Sequence, residues 1–292
     1  MTVLYDAPGP RARRRTVVIS AIAAVLVVAG GYRLVYQPLA DQGQFSAELW
    51  GPLLNPGNEQ FSLVWRRILE GFQATLIAAG YAIVASLVAG TALAVLRVQL
   101  RSLVLRRFTA VGGPVALLIR GLVLLLMWLT RFCVEVFRGI PVVITIFFVW
   151  VALPEFGITF ETSRWYLVIG LSIYNAVVIG EVLRSGMEGL PGGQREAAHA
   201  VGLTPFQTTR LILLPQAFRI MLPALISQLV VVLKDTSLGF IISYEEALRV
   251  GSQVVQVLEN PIQVYTVIGA VYILVNYGLS KLAQYIQRRQ SR

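Results

Sequence analysis

Apolar runs of about 20 residues recur along this chain, near 16–36, 68–96, 165–184, 208–233 and 262–286. At about 1.5 Å of rise per helical residue, each is long enough to cross a hydrocarbon core of about 30 Å. No water is available there to satisfy peptide N–H and C=O groups, so each run must close its own hydrogen bonds as a helix. Of the 292 residues, 56% are hydrophobic and 14% charged, whereas a soluble domain is about a quarter charged. These observations exclude a disordered polar chain. They predict an all-α, polytopic transmembrane bundle of about six spans.

The net charge is +10. The basic residues stand between apolar runs and form no basic face interleaved with aromatic side chains, so they report membrane topology and not nucleic-acid binding. The expected surroundings are membrane lipid. Cys133, the single cysteine, cannot form an intrachain disulfide.

Arg11, Arg13, Arg14 and Arg15 precede the first run, which is longer than the roughly 7 to 15 apolar residues of a secretory signal peptide. A retained anchor helix is expected, followed by an external loop over 37–67. Residues 1–60 then comprise a basic cytoplasmic tail, an extra helix and that loop, and residues 61–292 form the main membrane domain. Between 110 and 154 the sequence permits one crossing or two. One net crossing leaves the basic clusters at 11–15, 97–107, 184–210 and 281–292 on one side, as the positive-inside bias requires, with both termini in the cytoplasm. The stretch 114–129 would then be an interfacial or re-entrant helix, or part of one long tilted helix.

Several chemistries are missing. Neither lysine, Lys234 nor Lys281, follows the glycines of a phosphate-cradling loop. His199 is the lone histidine, which removes His-pair metal sites and a Ser-His-Asp triad. No catalytic residues and no metal ligands are assigned, and function must come from transport or coupling to partners.

The loop at about 190–207 is punctuated as two helices meeting at an angle. Pro191, Gly192 and Gly193 stop the incoming span, and Gln194 to Val201 form a short helix ended by Gly202. Thr204, Pro205 and Gln207 then have the spacing of a capping box with proline at the first helical position. Alanines 197, 198 and 200 leave the short helix thin enough for another protein to grip.

Glu196-Ala197-Ala198, Gly202 and Ile212-x-Leu214-Pro215 match the E-A-A-x3-G-x9-I-x-L-P loop of ABC importer permeases. Phe137-Arg138-Gly139-Ile140-Pro141 resembles the F-R-G-T-P signature of the polar amino-acid branch, with Ile140 in place of threonine. Lys234-Asp235-Thr236-Ser237-Leu238 resembles its K-D-T-S-L run. The span from Tyr174-Asn175 through Glu181 and Arg184 to Gly186 is similar to that of glutamate-type permeases of actinobacteria.

The resemblance implies a type I ABC importer permease for a polar amino acid, glutamate first, with glutamine and aspartate next. It implies that Arg195, Glu196, Ala197, Ala198 and Gly202 couple to an ATPase, and that the chain is not itself an enzyme and holds no cofactor, ATP and Mg being bound by the partner. The implied partners are a cytoplasmic ABC ATPase dimer, a second permease subunit, a paralogue in preference to a copy of this chain, and an extracytoplasmic substrate-binding protein. Arg138, Asn175, Glu181, Lys234, Asp235, Thr236 and Ser237 are the candidate pathway or gate residues. For Lys234 and Asp235 a mutual ion pair capping a helix end is the competing expectation. The alternative function is a secondary transporter or channel needing no ATPase, which inverted internal repeats would mark; none is found.

Overall fold

The computed structural model describes residues 9–104 and 113–290. Every regular element among them is helical: α1 (Pro10–Gly31), α2 (Gln37–Asp41), α3 (Ala47–Leu54), α4 (Phe61–Val104), α5 (Gly113–Gly139), α6 (Val142–Glu155), α7 (Ser163–Glu188), α8 (Gly193–Ala200), α9 (Pro205–Thr208), α10 (Leu214–Asp235), α11 (Ala247–Leu258) and α12 (Pro261–Gln290). A π-helical turn over Tyr32–Tyr36 joins α1 to α2, another over Thr209–Leu213 joins α9 to α10, and a 3-10 turn over Thr236–Ile242 follows α10.

Six stretches are long and apolar enough to cross a membrane: Arg11–Asp41, Phe61–Val104, Gly113–Gly139, Ser163–Glu188, Pro205–Ile242 and Pro261–Leu282. The spans are longer than the apolar runs that announce them. The helix anticipated over 68–96 begins at Phe61, so the segment joining the first two spans is shorter than the anticipated 37–67, and α2 and α3 occupy part of that stretch. Arg66, Arg67 and Glu70 are polar but helix-compatible, so hydropathy alone places the boundary too late.

The stretch 114–129 is the first part of one continuous helix, α5, which agrees with the third expectation for it, a portion of a longer helix. Pro141 ends α5, because it disfavours helical geometry at Ile140 and contributes no N–H, and α6 restarts behind it with Pro141 as its N-cap. At 14 residues, α6 is too short to cross alone.

The chain divides into two compact units, Met1–Ser62 and Leu63–Arg292. In the first, α1 buries none of its apolar window, so lipid or another protein must cover it. In the second, α7 is the centre: 61% of its apolar window is buried, against 28% or less in the other spans. One core cluster joins Ala78 and Ala82 of α4, Ile146 of α6, Leu167 and Leu171 of α7, and Val232 of α10. A second joins Ala94 of α4, Ile179, Leu183 and Met187 of α7, and Ala217 and Leu225 of α10. Lipid tails are as apolar as leucine, so these contacts stabilise by close packing, which small residues at the interface allow.

Candidate coupling and translocation site

α8 is carried outside the spans by the ends of α7 and α10, and local sequence fixes its shape. Gly202 has φ +80°; its N–H donates to the His199 carbonyl at 3.0 Å and the Leu203 N–H to the Ala198 carbonyl at 3.0 Å. This is a Schellman closure, which satisfies the last carbonyls of α8 and turns the chain back. Thr204 Oγ1 accepts from the Gln207 N–H at 3.3 Å and Gln207 Oε1 from the Thr204 N–H at 2.8 Å, the reciprocal capping box that starts α9. Pro215 cannot supply an N–H to the preceding turn, and the π-helical turn just before it accommodates that loss.

Of the coupling candidates, Glu196 and Ala197 are exposed in α8, with Glu196 in its first turn, where a carboxylate is favoured by the helix dipole. Ala198 is buried beneath them. Arg195 turns back, its Nη2 donating to the Met187 carbonyl at 3.1 Å, and so ties the start of α8 to the last turn of α7. Val201, exposed at 76% after α8, and Phe206, exposed at 52% in α9, add apolar surface to the loop that the sequence reading did not single out.

Behind the loop stands a ladder of charges. Glu181 of α7 pairs with Arg97 of α4 and accepts from Arg184 Nη2 at 3.0 Å. Arg184 Nη1 reaches Glu188 Oε2 at 2.6 Å, and Glu188 Oε1 meets Arg101 Nη1 of α4 at 2.8 Å. Nearby, Gln99 Nε2 donates to Thr209 Oγ1 at 2.8 Å and to the Pro205 carbonyl at 3.3 Å. The ladder therefore runs from Glu181, about two helical turns inside α7, to Glu188 and Arg101, which stand beside the loop. Arg97, Gln99, Arg101 and Glu188 were missed in the sequence, although the spacing of Glu181, Arg184 and Glu188 puts them on one helix face. A cavity of about 660 Å³ lies here, lined by Arg101, Glu188, Arg195, His199 and Thr209 among others.

The other pathway candidates lie apart. Asn175 is fully buried; its Nδ2 donates to the Leu171 carbonyl at 2.8 Å and its Oδ1 accepts from Gln228 Nε2 at 2.7 Å. Arg138 is exposed in the last turn of α5. Lys234 and Ser237 come together in a cavity of about 710 Å³ with Tyr265, Tyr272 and Asn276. Thr236 is buried with its Oγ1 on the Leu233 carbonyl at 2.6 Å, and Ser237 Oγ donates to the Lys234 carbonyl at 2.8 Å. Asp235, half-buried, ends α10. Among the described residues no ion pair joins Lys234 to Asp235, so the capping pair expected as the competing reading does not form.

Glu246 was also missed. It is fully buried at the N-cap of α11, accepting from the Leu248 N–H at 2.9 Å, the Arg249 N–H at 2.7 Å and the Tyr272 hydroxyl at 3.2 Å. Burial pushes its carboxyl up to about 7, with those hydrogen bonds acting in the opposite direction. Among the described residues, no three His, Cys, Asp or Glu side chains gather as a metal site.

Residues 110–292 match the model of the family described as binding-protein-dependent transport system inner membrane component. The glutamate transport system permease protein GluD of Corynebacterium glutamicum is 37% identical over 255 residues, covering 86% of this chain and 83% of that protein. The glutamate/aspartate import permease protein GltK of Escherichia coli is 30% identical, covering 76% of this chain and 92% of its own. Among solved structures, an amino acid ABC transporter crystallised with histidines superposes with a TM-score of 0.62 at 22% identity, covering 78% of this chain and 96% of that one. The MetNI methionine ABC transporter in an inward-facing conformation gives 0.61 at 20% identity, covering 80% and 100%. With six long apolar helices and a helical loop held outside them, the chain belongs to the family of binding-protein-dependent transport system inner membrane components, as the multi-pass permease subunit of an ABC importer.

Proposed function

We propose that this permease passes a polar amino acid, glutamate first, with glutamine and aspartate as the nearest alternatives. The observation that carries the substrate class is the 37% identity, over most of both chains, to a glutamate transport permease. α8 acts as the coupling helix, with Glu196, Ala197, Ala198 and Gly202 seating it in an ATPase and Arg195 fixing it to α7. The reading is supported by the exposure of Glu196, Ala197 and Val201 on a loop whose shape is fixed by its own backbone closures. Closure of a cytoplasmic ATPase dimer pushes the loop and rocks the attached spans, alternating the access of a central vestibule. Lys234, Asp235, Thr236 and Ser237 form its gate, where α10 breaks into a 3-10 turn, and Arg138, Asn175 and Glu181 line or support the route. Both termini face the cytoplasm, an external binding protein delivers the substrate, and the second permease subunit is a paralogue.

The test is co-purification of the complex with its ATPase, together with uptake of labelled glutamate, glutamine and aspartate in a deletion strain. Glu196→Arg and Gly202→Asp should each weaken ATPase binding and lower uptake. Unchanged binding and uptake in both variants would count against α8 as the coupling element. Uptake of none of the three amino acids would refute the substrate assignment.

A further inference from the structure

A push on α8 enters the bundle along its own chain, through α7 on one side and α9 and α10 on the other. α4 is separated from the loop by about 90 residues of sequence and is joined to it covalently only by way of α5, α6 and α7, yet it holds both sides. Arg97 and Arg101 grip α7 through Glu181 and Glu188, and Gln99, between them in sequence, grips the outgoing side at Thr209 and the Pro205 carbonyl. Each carboxylate of the ladder is shared by two arginines, so Arg97, Glu181, Arg184, Glu188 and Arg101 form one alternating chain. Exposure rises along it: the side chains of Arg97 and Glu181 are 16% and 17% exposed, those of Arg184 and Glu188 25%, and that of Arg101 66%, so the shielded end is the Arg97–Glu181 pair. Shielded, charge-assisted contacts of this kind hold geometry far better than exposed pairs. Gly180, the residue before Glu181, meets the Gly90 carbonyl of α4, so close backbone packing of α4 on α7 adjoins the first rung of the ladder.

We propose that this clamp makes α4 move with the coupling loop, and that Glu181 and Gln99 are its positioning residues. With the clamp intact, a displacement of α8 carries α7, α10 and α4 together. With it broken, α7 and α10 are driven while α4 lags, and nucleotide is hydrolysed without a matching opening of the pathway. Glu181 thus acts at the cytoplasmic base, through α4, and not by touching substrate. The inference rests on the coupling role of α8 given above.

The experiment uses the complete importer, with its ATPase, second permease and binding protein, reconstituted in proteoliposomes, and reads ATP hydrolysed per glutamate imported. Glu181→Gln and Gln99→Ala should each raise that ratio about five- to tenfold, the scale of an ordinary coupling free energy, while hydrolysis itself persists. Arg97→Gln should behave like Glu181→Gln, and Arg97→Lys, which keeps a positive charge for the single Nη1–carboxylate contact of this pair, should uncouple less than Arg97→Gln. Gln99→Ala removes no charge, which guards against misfolding of the ladder variants. An unchanged ratio in Glu181→Gln and Gln99→Ala, whether both rates persist or fall together, overturns the proposal. So does Arg97→Lys uncoupling as fully as Arg97→Gln. Failure of the wild-type complex to hydrolyse ATP or import glutamate strikes instead at the proposed function.

Discussion

Gly90 of α4 and Gly180 of α7 face one another so closely that a Cβ added to Gly180 would stand 3.1 Å from the Gly90 carbonyl oxygen, and one on Gly90 would stand 2.9 Å from the Ala176 carbonyl oxygen. Backbone meets backbone here, and no rotamer change can make room. Gly90→Val should therefore separate the two helices and destabilise the bundle by about 1 to 3 kcal/mol, the usual cost of overpacking. Gly80, beside which an added Cβ meets nothing within 4 Å, is the control: Gly80→Ala should leave stability unchanged or slightly raised. Thermal denaturation of the solubilised complex distinguishes the two.

Glu246 gives a pH dependence of definite sign. Its folded-state value of about 7 lies above the ordinary 4.5, so the folded protein favours the protonated carboxyl. The stabilisation is complete below about pH 4.5 and is lost as pH rises through 7, amounting to about 3 kcal/mol at full ionisation. Glu246→Gln keeps an acceptor for the α11 cap and cannot ionise. The melting temperature of the wild-type complex should fall between pH 5 and pH 8 relative to that of Glu246→Gln, and parallel curves would refute the assignment.

The helical loop at 190–207 was legible in the sequence because its determinants are local. Gly202, Thr204, Pro205 and Gln207 each act on backbone within a few residues, and the structure shows the closures their spacing calls for. The spans were legible as apolar runs, but their ends were not: Phe61 to Arg67 belongs to α4 because helix-compatible residues continue it, whatever their polarity. The charge ladder was half legible. Glu181, Arg184 and Glu188 share a face by spacing alone, but their partners Arg97 and Arg101 lie 84 and 87 residues away, and no periodicity links them. Glu246 was illegible for a related reason: its cap is local, but its burial comes from α4, where Thr75 accepts from the Ala247 N–H, and α12, where Tyr272 meets its carboxylate, both distant in sequence.

Gly202 separates backbone geometry from partner contact. Its φ of +80° is strained for any residue with a Cβ, yet an added Cβ would meet no atom within 4 Å. If geometry alone matters, Gly202→Asn should be tolerated best, Gly202→Ala should cost about 1 kcal/mol, and Gly202→Val more, because branching at Cβ worsens the left-handed conformation. ATPase affinity should follow that order. An order following side-chain volume, with alanine better than asparagine, would show instead that Gly202 lies against the partner.

Asn175 and Gln228 join α7 to α10 by a hydrogen bond of 2.7 Å in a site where Asn175 is fully buried. Two roles for Asn175 make different predictions. As a pathway residue it would alter substrate affinity when changed while leaving stability nearly intact. As a tie between helices it would do the reverse. Gln228→Leu strands the Asn175 carbonyl oxygen and should cost about 1 to 3 kcal/mol, although membrane hydrogen bonds average nearer 0.6 kcal/mol because the unfolded reference also finds partners. The double variant Asn175→Leu with Gln228→Leu leaves no polar group unpaired and should be more stable than the sum of the two single losses. A coupling energy near zero in that cycle, together with an altered Michaelis constant for uptake in Asn175→Leu, would move Asn175 from the scaffold to the route itself.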